Sequence, residues 1–98
     1  MVPAIDRVDA DPDSLSHSPD YRSVTRRGTI YGFSPLQADA LRILFEALNA
    51  GAPEVGQAYI LEQIGSTQKH LKDVFKHDPA WGTLIVRGQR RGTFRLDP

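Results

Sequence analysis

Apolar positions change their spacing along the chain, and each spacing predicts a different element. Thr29-Ile-Tyr-Gly-Phe33 is built from β-branched and aromatic residues, which predicts a short strand. Ser34-Pro35 predicts a helix start, because the hydroxyl accepts from a free amide and proline has no N–H to leave unpaired. Leu41, Leu44, Phe45 and Leu48 follow at i, i+3, i+4 and i+7, with Leu36, Ala40, Ile43 and Ala47 widening the stripe. A helix apolar over so much of its circumference is expected at the centre of the domain. Gly51 ends it and Pro53 prevents it from resuming.

A second helix is predicted from about Gly56 to Ile64, where Ala58, Ile60, Leu61 and Ile64 are apolar and Gly65 stops the run. Ser66 or Thr67 caps a third, which Asp78-Pro79 closes. From Trp81 the period shifts. Trp81–Arg87 and Thr93–Leu96 predict two strands, joined by the turn-rich Gly88-Gln-Arg-Arg-Gly92. Residues 1–27 show neither period and have too little apolar surface to offset ordering entropy, so they are expected to form a disordered arm. The expected α+β domain is therefore 28–98, and no internal repeat occurs.

That order of elements resembles the winged helix-turn-helix superfamily. The likeness is carried by Ile60-Leu61-Glu-Gln-Ile64-Gly65-Ser66-Thr67-Gln-Lys-His-Leu71-Lys-Asp-Val74-Phe75, with its glycine at the turn between two helices. The entry Tyr31-Gly-Phe33-Ser34-Pro-Leu-Gln37 and the hairpin Trp81-Gly-Thr-Leu-Ile-Val with Gly92-Thr-Phe-Arg-Leu96 are similar to those of an uncharacterised bacterial group of such domains. The resemblance covers about residues 28–96. It implies a three-helix bundle with a C-terminal β-hairpin wing and an extra N-terminal strand. It also implies double-stranded DNA as partner, with the third helix in the major groove and the wing on the backbone or the minor groove.

Charge sharpens this expectation. The chain is neutral overall, yet residues 1–21 carry −4, 22–27 carry +3, 28–65 carry −3 and 66–98 carry +4. Binding responds to the local field, and the C-terminal third is basic. On a helical wheel Thr67, Leu71, Val74 and Phe75 share one side, while Lys69, Lys72 and Lys76 fall within an arc of roughly 60° on the other. Lysines supply charge rather than base reading, which favours the planar guanidinium or a side-chain amide. Gln68 is the side chain on this helix able to pair with adenine, and Arg87, Arg90 and Arg91 arm the wing. Arg26 and Arg27 offer a basic arm, Arg95 is expected to point outward, and Asp73 would repel phosphate unless a neighbouring lysine pairs with it.

Other chemistries find little footing. Cysteine is absent, which removes disulfides and thiol chemistry and fits a reducing cytoplasm, the expected location. No run of about 18 apolar residues spans a membrane, and the N-terminal aspartates are unlike an export leader. His70 and His77 stand roughly 10 Å apart along a helix, too far for one metal ion. No nucleophile–base constellation or phosphate-binding glycine loop occurs, so no enzyme activity, cofactor or metal is expected. Trp81 reads as a core cover over the helix-to-sheet junction. The alternative reading is a protein-binding or dimerising winged helix, using the first helix or the sheet edge at Thr29–Phe33. Convergence of the basic side chains on one surface separates the two.

Overall fold

Ser34 opens the longest helix of the molecule. In the computed structural model, which describes residues 15–98, its Oγ accepts the Gln37 N–H at 3.3 Å while Gln37 Oε1 accepts the Ser34 N–H at 3.0 Å. This reciprocal pair satisfies two amides that a helix start otherwise leaves bare. Helix α1 then runs Pro35–Asn49 and buries Ala38, Ala40, Leu41, Leu44 and Phe45. Leu36, assigned to the apolar stripe by its spacing, is instead 42% exposed.

Among the described residues the strands form two three-stranded antiparallel sheets. The first comprises β1 (Leu15–His17), β2 (Ser23–Arg26) and β3 (Thr29–Gly32), in that spatial order. The second comprises β4 (Val55–Gly56), β5 (Ile85–Arg87) and β6 (Thr93–Leu96), in the order β4-β6-β5. Helices α2 (Gln57–Gln63) and α3 (Leu71–Val74) lie in sequence between β4 and β5. Helix α2 packs on α3, β4 and α1, and α1 packs across β6. Among the described residues no helix is long and apolar enough to cross a membrane.

The expected disordered arm is the first correction. Residues 1–14 of it lie outside the described residues, but Leu15–His17 and Ser23–Arg26 are strands of the first sheet. Val24 is fully buried opposite Tyr31, and His17 stacks on Tyr21 at 4.0 Å beside Phe45. His17, Tyr21 and Val24 therefore supply contacts to the core that no periodic run announces. Arg27 (φ 49°) and Gly28 (φ 83°) form a two-residue turn of the primed kind, whose twist matches paired strands.

Arg26 and Arg27 do not form a basic arm. Arg26 donates to the Asp97 carbonyl at 2.6 Å and its carboxylate at 3.0 Å, and Arg27 donates to the Pro98 carbonyl at 3.0 Å. Both guanidiniums fasten the chain's last residues to the first sheet. Arg95 is half-buried, with Nη1 donating to the Leu96 carbonyl at 3.4 Å.

The third helix is the largest correction. The sequence predicts it from a cap at Ser66 or Thr67 to a close at Asp78-Pro79, and it spans one turn, Leu71–Val74. Local bonds at both ends compete with the helical ladder. Gly65 (φ 72°) closes α2 with its N–H on the Glu62 carbonyl while Ser66 N–H reaches Leu61, and Ser66 Oγ then accepts the Gln68 N–H at 3.1 Å. Beyond Val74, His77 turns to φ 64° and Asp78 Oδ1 accepts the Ala80 N–H at 2.9 Å. The strand expected from Trp81 is shortened for a similar reason. The Thr83, Leu84 and Ile85 amides all turn back onto the Ala80 carbonyl, so extension begins at Ile85.

Candidate functional site

Side chains from two distant segments hold the one-turn helix α3 in place. Gln57, the first residue of α2, accepts the Leu71 N–H on Oε1 at 2.9 Å. Gln37, already part of the α1 cap, donates Nε2 to the Val74 carbonyl at 2.9 Å. A four-residue helix satisfies few of its own backbone groups, so these bonds replace what length would otherwise provide. Gln57 reaches the other way as well, its own N–H donating to the Gly92 carbonyl at 2.8 Å. One glutamine thus fixes α3 relative to the β5–β6 loop.

Between α3 and that loop lies an open concavity of about 750 Å³. Lys72 from α3 and Arg87, Arg90 and Arg91 from the hairpin line it, together with His70 and Gln89. All four cations are exposed, and no carboxylate is among the lining side chains. The ion pairs among the described residues are Arg26–Asp97 and Arg42–Glu46, so neither engages this face. Trp81 and Phe94 form part of its wall, 5.0 Å apart, and Phe75 stacks behind Trp81 at 6.0 Å. Trp81 joins the core in this way, as its expected role required.

The expected site residues therefore separate. Lys72, Arg87, Arg90 and Arg91 come together around the concavity. Lys69 lies in the bend before α3 and Lys76 in the turn after it, so the three-lysine helix face does not form. Gln68 sits in the non-helical turn after Ser66 and does not line the concavity. Asp73 is half-buried and is likewise absent from the lining. His77 turns away with its own loop, while His70 precedes α3.

Two residues of the site carried no signal in the sequence. Gln89, at the hairpin tip, brings the side-chain amide that Gln68 was expected to supply. Glu54 lies behind the tip, with Oε1 accepting the Arg90 N–H at 3.3 Å. Thr93 Oγ1 stands 3.3 Å from the same oxygen and 2.6 Å from the Arg90 carbonyl, and its single proton serves one of them at a time. Neither contact has a local spacing rule, since Glu54 precedes Arg90 by 36 positions.

The backbone N–H of Gln89, then that of Arg90, hold the Glu54 carboxyl below its ordinary value of 4.5. A group whose pKa is lowered by folding contributes stability above its unfolded value and loses it as pH falls through the folded one. The loop contact is thus complete above about pH 4.5 and weakens below it. Amide NMR shifts of Gln89 and Arg90 should move together during an acid titration that leaves the core resonances in place. In Glu54→Gln that movement should disappear. Shifts of the same size in the variant would assign the titration to another group.

Comparison with protein-family models, with curated proteins and with solved structures gave no match to the chain.

Proposed function

We propose that the chain binds double-stranded DNA through the concave face between α3 and the β5–β6 loop, as a small regulator or a DNA-tethering module. The observation that carries this reading is the convergence of Lys72, Arg87, Arg90 and Arg91 on one concavity with no carboxylate in its lining. Phosphate neutralisation needs cations on one surface, and guanidiniums on a glycine-flanked loop suit a groove. The order α1, β4, α2, α3, β5, β6, with β4 paired to β6, supports the winged helix-turn-helix reading of the fold. In this version the wing supplies three of the four cations and α3 only one.

The protein-binding alternative keeps the sheet edge, since β3 (Thr29–Gly32) is an edge strand among the described residues, but α1 turns most of its apolar side to the core. Ala38, Ala40, Leu41, Leu44 and Phe45 of α1 are buried, and the exposed large apolar side chains among the described residues are Ile30 on β3, Leu36 on α1 and Tyr59 on α2. Scattered apolar residues do not make a docking patch.

A fluorescence anisotropy titration with a mixed-sequence duplex at two salt concentrations tests the proposal. Binding should be evident at low salt and fall steeply as salt rises, with a log–log slope of about −0.9 for each phosphate neutralised. Absence of binding to any duplex at low salt and micromolar protein would reject it.

A further inference from the structure

A carboxylate behind a cationic loop is an oddity for a surface meant to meet phosphate. Glu54 stands immediately before β4, whose residues Val55 and Gly56 pair with Phe94 and Thr93 of β6. Its backbone is therefore fixed against the returning arm of the hairpin. The side chain reaches under the tip, where Oε1 takes the Arg90 N–H. The space it occupies is kept by Gly88. A Cβ there would overlap Thr93 Oγ1 and lie 2.8 Å from both Cγ and Cδ of Glu54. Gly88 itself donates to the Thr93 carbonyl at 2.9 Å, and Thr93 N–H returns to Arg90 at 3.2 Å. The tip thus closes around the carboxylate, and Arg90 and Arg91 extend from the closed loop into the concavity.

We propose that Glu54 is a positioning residue for the arginine-bearing loop, ordering it before the ligand arrives. The inference rests on the DNA reading for its ligand but not for its geometry. A free five-residue tip would lose backbone and side-chain freedom on binding, and an ordered one has already lost part of it. The long-range field of Glu54 acts in the opposite sense, since a negative charge near the cations repels phosphate. The two roles therefore predict opposite signs for the same substitution.

Three variants separate them, with melting temperature checked for each. Glu54→Ala removes the acceptor and the charge. Glu54→Gln removes the charge but retains an oxygen that accepts the Arg90 N–H. Gly88→Ala retains the charge and displaces it from the loop. With a short mixed-sequence duplex at low salt, Glu54→Ala and Gly88→Ala should each bind about tenfold more weakly than the wild type. Glu54→Gln should bind as tightly or more tightly. In the DNA-free protein, ¹⁵N relaxation should show the most mobile Gln89–Gly92 in the two weakened variants. The tip should stay closer to the wild type in Glu54→Gln, whose amide oxygen still accepts the Arg90 N–H, though more weakly than a carboxylate.

Glu54→Ala binding at least as tightly as the wild type would overturn the inference and leave the carboxylate as a repulsive bystander. So would an equally ordered tip in Glu54→Ala. Failure of the wild type to bind any duplex would reject the DNA reading alone, because the relaxation comparison decides the positioning role without a ligand.

Discussion

Phe75→Ala should lower the stability of the domain by about 3–5 kcal/mol. Phe75 is fully buried, meets Phe33 edge-on at 5.9 Å and stacks on Trp81 at 6.0 Å. It also stands directly after α3, at the end of a helix held by only two side-chain bonds. Truncation would remove the ring from between Phe33 and Trp81 and leave a cavity in the core. Small domains hold roughly 0.05–0.15 kcal/mol of stability per residue, so a loss of this size takes a large share of the whole. The urea midpoint should fall accordingly, with loss of the near-ultraviolet Trp81 signal at lower denaturant. Leu36→Ala is the internal control, and at an exposed position it should cost no more than about 0.5 kcal/mol. An unchanged midpoint in Phe75→Ala would mean that the core lies elsewhere.

What the sequence disclosed depended on whether the determining contact was local. Ser34, Pro35 and Gln37 lie within one turn of each other, so the start of α1 is written in adjacent residues. The hairpin strands Ile85–Arg87 and Thr93–Leu96 were legible for a similar reason, since a glycine-flanked turn separates two β-rich runs. The third strand of the first sheet, Thr29–Gly32, was legible from its β-branched and aromatic residues, but the first two strands were not. The buried Val24 and the partly buried Leu15 and Tyr21 are scattered among Ser, Asp and Arg, and the local composition reads as polar. Thr67 through His77 failed in the opposite direction. The heptad-like spacing of Leu71, Val74 and Phe75 suggested three turns, but the Ser66 and Asp78 side chains capture neighbouring amides and leave one. Propensity favoured helix there, and side-chain-to-backbone bonds overrode it. That single shortening explains why Gln68, Lys69 and Lys76 were misplaced while Lys72 was not. The roles of Gln57 and Glu54 come from pairings across 14 and 36 positions, which no single-sequence pattern records.

The arginine pair at the hairpin tip should dominate binding. Four cations line the concavity, and if each meets one phosphate the log–log salt slope of the wild type is about −3.6. Such a slope lowers affinity by about a hundredfold between roughly 50 and 200 mM salt. Removing Arg90 and Arg91 together should bring the slope to about −1.8 and weaken low-salt binding by about one to two orders of magnitude. Lys72→Ala should remove about 0.9 from the slope and weaken all duplexes alike, because an ammonium on phosphate reads no base. Lys69→Ala and Lys76→Ala form the decisive contrast. They lie in the same basic segment and carry the same charge, but they flank α3 outside the concavity. A general attraction between a basic third of the chain and DNA would treat all three lysines equally. An interface built on the concavity would not, since a lysine outside its lining neutralises no phosphate there. Each of the two outer substitutions should therefore change affinity by less than about twofold, and the slope hardly at all. If Lys69→Ala and Lys76→Ala instead flatten the salt dependence while the double arginine variant leaves it intact, DNA meets a different face of the domain.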